Sequence, residues 1–367
     1  MKKYKICKIL LVILAIFLCV AFYELLGICV AYKKQPEVSN TTKKETKNGS
    51  WNECSENTER AVIIEKNPEA LLQRVRLIKN AKKEIILSTF AFQSDESGKL
   101  ILGALHDAAD RGVHIRLLVD GMESWIDMEG NPYFYGLSSH ENVEIKLYNK
   151  ANPLKPWKMM GRMHDKYLIA DGKRYILGGR NTHNYFLGDF PGHKNYDRDV
   201  LVVCDEPEKE NSVNQLLEYF ETIWEQEDSG YFHDNKKLAN RKSVKNAVLE
   251  LQNGYQKYFE ENKERICDTD YTDETFETEK IALVSNPIYT GSKEPVVWYQ
   301  LGELMKNAKN RVKIHTPYII CNDMMYNTWE EIAENVSDFS IMTNSVANNG
   351  NPFGAADYAK NRNRILF

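Results

Sequence analysis

At 367 residues, 43% of them hydrophobic and 27% charged, the chain is long enough for two domains or one large duplicated domain with a sizeable core. A formal net charge of −4 argues against a surface built as a whole to hold nucleic acid, although it leaves room for a local basic groove. Ordinary aromatic and charged fractions argue that most of the chain is globular.

The first element is an apolar run from Ile9 to Tyr32 in which Glu24 is the only charge. At about 1.5 Å per residue this helix is long enough to cross a hydrocarbon core of roughly 30 Å. A cleaved signal peptide carries an apolar region of only about 7–15 residues, so residues 1–32 are read as a single-pass membrane anchor. Lysines stand on both sides of it, at 2, 3, 5 and 8 and again at 33, 34, 43, 44 and 47, so sidedness is not set. The seven cysteines have no CxxC spacing and suggest neither a metal site nor a disulfide framework.

Residues 33–60 are polar and read as a tether. Helix and strand then alternate: a helix over 71–81, a buried strand over 84–92, a helix over 100–111 closed by Gly112, and a strand over 113–120. This alternation predicts an α/β sandwich around a largely buried sheet. The opening returns later. Residues 77–92 (LIKNAKKEIILSTFAF) align without a gap with residues 304–319 (LMKNAKNRVKIHTPYI), and a strand over 339–345 follows as 113–120 follows in the first half. A duplication explains this better than chance. Residues 61–235 form the first half, 236–280 a charged helical connector and 281–367 the start of a second half.

The chemistry concentrates in residues 163–181, MHDKYLIADGKRYILGGRN. Strand alternation puts His164 and Lys166 on one side. Asp171-Gly172 between two apolar-alternating runs is a hairpin turn. Gly178 and Gly179 lack β-carbons, which predicts backbone amides open to an anion, and Asn181 adds an amide donor. An imidazole, an ammonium and amide donors suit a phosphate diester, with Lys166 and Asn181 holding the non-bridging oxygens while His164 attacks phosphorus. Asp171 stands among the catalytic candidates, although a turn-forming role fully accounts for an Asp before Gly. Arg162 and Arg180 flank the motif and stand either as contacts to anionic headgroups or as solvated charge. Trp157, Met159 and Met160 read either as an apolar lip or as packing, and His183 and His193 as surface or pocket-rim residues.

The spacing H-x-K-x4-D-x6-G-G-x-N, at His164, Lys166, Asp171, Gly178, Gly179 and Asn181, resembles the signature of the phospholipase D superfamily. Residues 196–203 (YDRDVLVV) and 214–224 (NQLLEYFETIW) look like the segments that follow it, and residues 111–121 and 343–366 like parts of the bacterial cardiolipin synthase branch. The likeness covers about residues 61–367. It implies a duplicated phospholipase D-like α/β fold, with a mixed sheet flanked by helices, anchored in a bacterial cell membrane. It also implies phosphatidyl transfer through a phosphohistidine, with phosphatidylglycerol and a second phospholipid as substrates and with no cofactor, metal or nucleic acid. Among its site residues, Asp197 orients His164 through the second ring nitrogen, and a second histidine protonates the leaving alcohol.

That second H-x-K is not in these residues. His315 is followed by Thr316-Pro317, and a 227-residue shift puts the partner of His164 near position 391. The expectation is a fragment or a truncated gene, with another H-x-K-x4-D in the frame past Phe367. The rival readings are a phospholipase D-type nuclease or phosphodiesterase and a non-catalytic remnant that binds anionic lipids.

Overall fold

The computed structural model describes residues 2–49, 59–204, 211–233, 235–348 and 352–365; positions 50–58, the end of the expected tether, lie outside the described residues. Two compact units divide the chain. The first comprises Met1–Gln35, Glu53–Leu283 and Ile288–Ser292, the second Pro36–Asn52, Val284–Pro287 and Lys293–Phe367.

The chain opens with α1 (Lys2–Ala31), of which Lys8–Ala31 is long and apolar enough to cross a membrane. Its apolar side chains are exposed along most of its length. The stretch read as a tether then carries a short helix, α2 (Asn40–Asn48). Ser39 caps it by accepting from the Thr42 amide, and Gly49 at φ 74° ends it, so its ends are satisfied despite its polarity.

The body of the first unit alternates β1 (Glu59–Ile64), α3 (Asn67–Asn80), β2 (Glu84–Thr89), α4 (Glu96–Asp110), β3 (His114–Asp120), α5 (Gly121–Asp127), α6 (Pro132–Ser138) and β4 (Val143–Tyr148). Helix α4 starts four residues earlier than its apolar period suggests, because the Asp95 carboxylate accepts from the Gly98 amide. Then come the hairpin β5 (Tyr167–Ala170) and β6 (Arg174–Gly178), followed by β7 (Asp199–Cys204), α7 (Ser212–Trp224), β8 (Ser229–Tyr231), α8 (Lys242–Glu261), α9 (Lys263–Cys267) and β9 (Phe276–Glu277).

The nine strands form one mixed sheet in the order β8-β4-β3-β2-β5-β6-β7-β1-β9. Strands β2, β3 and β4 run parallel, and the other neighbours pair antiparallel. Alternation along the strands feeds two apolar layers. Ile85, Leu87, Ile115 and Leu117 face the side covered by α3, α4, α6 and α8; Ile86, Leu118, Tyr167 and Ile169 face α7. The sheet is buried on both faces between helices, as the sequence pattern implies. Helix α8 is not a free connector. Val244, Ala247, Leu251, Tyr255 and Phe259 recur every three or four residues and are buried inside the first unit, to which the helix belongs.

The second unit holds α10 (Val296–Lys306), β10 (Arg311–His315), α11 (Asp323–Asn335), β11 (Asp338–Met342) and α12 (Pro352–Ile365). Strands β10 and β11 pair in parallel, Val312 opposite Phe339 and Ile314 opposite Ile341. This is the helix–strand–helix–strand order of α3-β2-α4-β3, where Ile85 and Leu87 pair with Ile115 and Leu117 in the same sense. The repeated sequence therefore folds into a repeated topology.

Candidate functional site

Sheet register brings the motif together. Ser88 near the end of β2 lies opposite Tyr167 at the start of β5, Tyr167 lies opposite Leu177 of β6, and Gly178 lies opposite Asp199 at the start of β7. The residues just beyond these ends, Phe90, His164, Lys166, Asn181 and Asp197, therefore share one edge of the sheet with Asp120 at the end of β3. This is the carboxyl end of the parallel strands, where open α/β sheets leave a crevice.

Lys166 and His164 project to the same side as two-residue alternation requires. The Lys166 ammonium lies 3.0 Å from His164 Nδ1 and donates to the His164 carbonyl oxygen at 2.7 Å. Phe90 forms the wall beneath them. Its ring centroid is 4.5 Å from the imidazole, with Lys166 Nζ at 5.2 Å and the Arg162 guanidinium at 4.9 Å from the same ring. Lys166 is buried, whereas His164 is exposed at its outer edge. Desolvation on its crowded inner side, and then the Lys166 charge, push the imidazole down to about 4, against the pull of Asp120. Burial pushes the Lys166 ammonium down to about 8, opposed by Asp165, Asp197 and Asp120. The edge thus presents a neutral imidazole beside a cation that is only partly stabilised by protein acids, a ready place for a phosphate anion.

Asp120, which motif reading missed, and Arg162, which is neither a solvated charge nor free for a headgroup, hold this pair in place. Asp120 is buried. Its Oδ1 accepts from the Met122 amide at 3.0 Å and from Arg162 Nε at 2.8 Å, and its Oδ2 accepts from the Met163 amide at 3.1 Å. Arg162 spans Asp120 and Glu123, at 2.6 and 3.0 Å, and its plane rests on Phe90. The backbone entering His164 is therefore pinned to the end of β3. A buried acid followed by glycine at the end of a parallel strand is the signal that marks Asp120 in the sequence.

Other expected residues fall elsewhere. Asp171 does not reach the site. It lies seven residues past His164, about 23 Å along an extended strand, at the hairpin tip with φ 55°. Its carboxylate accepts from the backbone amides of Lys82, Lys83 and Glu84 at 2.8, 2.7 and 3.0 Å, which fastens the hairpin to the start of β2. Gly178 and Gly179 do not offer free amides to an anion: Gly178 N donates to the Lys166 carbonyl and Gly179 N to the Arg198 carbonyl. They are glycines because acids occupy their β-carbon positions. A β-carbon at 178 would collide with Asp199 Oδ1, and one at 179 with Asp197 Oδ2.

Asp197 bears on the pair through Lys166, and it is Lys166 that meets a His164 ring nitrogen, Nδ1. Asn181 stays at the site edge. The Ala91 amide donates to its Oδ1 at 3.3 Å, which turns its NH2 away from that amide. Arg180 is neither a headgroup contact nor solvated. It is fully buried, pairs with Asp199 at 3.3 Å beside Arg74 at 2.9 Å, and donates to the Ile64 and Glu65 carbonyls. His183, read as a surface or rim residue, is buried against Tyr185 and Phe186, whereas His193 is exposed. Among the described residues no three His, Cys, Asp or Glu side chains gather in a metal-binding group.

With this geometry in view, comparisons with known proteins are specific. A family profile described as "Cardiolipin synthase, PLD-like domain" matches residues 74–224, which include the whole site. The chain is similar to an uncharacterised protein of Helicobacter pylori strain J99, 27% identical over 338 residues, covering 83% of this chain and 63% of that protein. It is also similar to cardiolipin synthase C of Escherichia coli K12, 29% identical over 171 residues, covering 43% of this chain and 34% of that one. The chain thus spans less than two thirds of the length of these relatives. The crystal structure of phosphatidylserine synthase from Haemophilus influenzae superposes with a TM-score of 0.59 at 17% identity, over 88% of this chain and 72% of that one, a likeness of fold.

Proposed function

Because the chain belongs to the phospholipase D superfamily and carries a cardiolipin synthase-type domain, we propose that it transfers a phosphatidyl group between phospholipids, through a covalent intermediate on His164. The observation that carries this reading is the neutral, outward-facing imidazole of His164 with the Lys166 ammonium 3.0 Å away.

In the first step an imidazole nitrogen of His164 donates its electron pair to phosphorus of phosphatidylglycerol, and the bond from phosphorus to the glycerol oxygen breaks. Lys166 neutralises charge on the phosphoryl oxygens and the Asn181 amide donates to them, where negative charge is fixed throughout the displacement. The glycerol oxygen takes a proton from a general acid, in this reading a second imidazole. In the second step the hydroxyl of another phospholipid gives its proton to the imidazole that protonated the glycerol and attacks phosphorus, and the bond to His164 breaks. Helix α1 serves as the membrane anchor, which supports a lipid substrate over a nucleic acid because it holds the site beside the bilayer.

The test is to trap the intermediate. Purified chain is incubated with phosphatidylglycerol labelled at phosphorus and quenched in base, and acid-labile label on the protein is counted for wild type and His164→Ala. Label on wild type alone supports the reading. Equal label on the variant, or cleavage of single-stranded DNA without any lipid adduct, overturns it.

A further inference from the structure

Around the mouth of the site the first unit exposes more large apolar side chains than a water-facing surface explains. Leu154 is 78% exposed and Met160 56%, with Trp157 between them, and on α5 Trp125 and Ile126 are 68% and 67% exposed. Met160 lies four residues before His164, so this loop leads into the nucleophile. Helix α5 belongs to the same mouth. Met122 and Met159 line one cavity, Arg162 ties Asp120 to Glu123, and Trp125 and Ile126 lie three and four residues beyond Met122, on its side of the helix. Isolated apolar residues are ordinary on a surface, but a cluster beside a catalytic edge marks a contact.

What covers this cluster follows from helix α1. The Tyr23 hydroxyl donates to the Leu154 carbonyl at 3.0 Å, and a β-carbon on Gly27 would lie 2.5 Å from Pro156 Cγ. The last turns of the apolar helix, where a membrane span reaches the interface, therefore touch the exposed loop itself. Lys155 is exposed on that loop, and Lys158 beside it pairs with Asp228 at 2.6 Å. Tryptophan, tyrosine and lysine at one level are the residues that settle at the headgroup region.

We propose that Leu154, Trp157 and Met160, with Trp125 and Ile126 of α5, form a lip that enters the headgroup and upper acyl region of the bilayer and seats the mouth of the site on its lipid substrates. This inference rests on the reading of α1 as an anchor and of the substrate as a lipid. The lip makes extraction of a lipid from the membrane unnecessary: a phosphate drawn up at the lip meets Lys166 while its acyl chains remain in the bilayer.

The experiment places the full chain in vesicles of phosphatidylglycerol and phosphatidylcholine with brominated acyl chains and measures quenching of tryptophan emission. Trp125→Phe/Trp157→Phe, which keeps both positions apolar, is compared with wild type. The expected result is that at least half of the bromine-quenched emission disappears in the double variant, and that wild-type emission is shielded from aqueous iodide by the vesicles. Equal quenching in both proteins, or unshielded emission, overturns the lip and leaves a water-exposed or self-associating surface. Lip quenching without a lipid adduct on His164 sinks the transfer reading alone; an adduct without lip quenching sinks this proposal alone.

Discussion

The Lys166 ammonium donates to the one ring nitrogen of His164 that faces it, Nδ1, at 3.0 Å. A donor on Nδ1 puts the proton of the neutral ring on Nε2, so the unliganded pair offers no imidazole lone pair outward. A phosphate diester reverses this in the proposed reaction. Its oxygens draw off Nζ, Nδ1 is free to carry the ring proton, and Nε2 is left unprotonated toward phosphorus. Binding of the anion and release of the nucleophile become one event.

This pairing sets a pH profile. In the proposed reaction His164 must be neutral to attack, and it is held down to about 4 by desolvation and Lys166. Lys166 must be charged to hold phosphate, and burial brings it to about 8. The expected kcat/KM rises with pH through about 4 and falls as Lys166 loses its proton through about 8. Lys166→Arg should lower the rate but abolish the basic limb, since a guanidinium keeps its proton to above about pH 12. A basic limb at the same pH in that variant assigns it to another group.

Asp171 should matter to stability and not to turnover. Removing it strips the acceptor from three backbone amides at the start of β2. Asp171→Ala is expected to cost about 1–3 kcal/mol in urea unfolding, with kcat of the folded protein within about twofold of wild type. A tenfold loss of kcat at unchanged stability would return Asp171 to the reaction.

Gly179 and Asp197 should be coupled. The nearest atoms to a β-carbon at 179 all belong to the Asp197 carboxylate. Gly179→Ala therefore displaces Asp197, at an expected cost of about 1–3 kcal/mol. In an Asp197→Ala background those three atoms are gone, and the double-mutant cycle should show a coupling of about 1 kcal/mol or more. Additive effects would mean that Gly179 is required for another reason.

Local patterns made much of this legible. The hairpin follows from Asp171-Gly172, both at positive φ, and the shared side of His164 and Lys166 follows from alternation. The repeat is visible because β2 and β10 carry the same apolar register. What the sequence hid depends on neighbours made by sheet pairing. Gly178 meets Asp199 only because β6 lies against β7, twenty-one residues later in the chain, so its lost β-carbon reads as an anion cradle until that pairing is known. Arg180 gave no sign of burial, since burying an arginine requires Asp199 and two backbone carbonyls to converge on it. Helix α8 looked like a connector because its charged face dominates the composition while its apolar stripe is narrow.

Asp120 should act as a positioning residue, although no motif contains it. Its two oxygens hold Arg162 and the Met163 amide, so they fix the backbone that delivers His164. It also supplies negative charge that favours protonation of both His164 and Lys166. Asp120→Asn loses the charge and one of the two acceptor oxygens, so that the Met163 amide and Arg162 no longer both find an acceptor there, and it leaves Arg162 more dependent on Glu123. The expected result is a fall in kcat of about tenfold with little change in KM, because Lys166 and Asn181, the proposed phosphate ligands, remain. The sign of the pH shift separates this role from a merely structural one. Without the carboxylate the imidazole binds its proton more weakly, so the acid limb moves to lower pH. The Lys166 ammonium is destabilised in the same way, so the basic limb moves to lower pH as well. A folded Asp120→Asn with both limbs unmoved would show that Asp120 supports the fold alone. Limbs displaced together, with kcat reduced and KM retained, would show that the end of β3 tunes the two residues that carry the reaction.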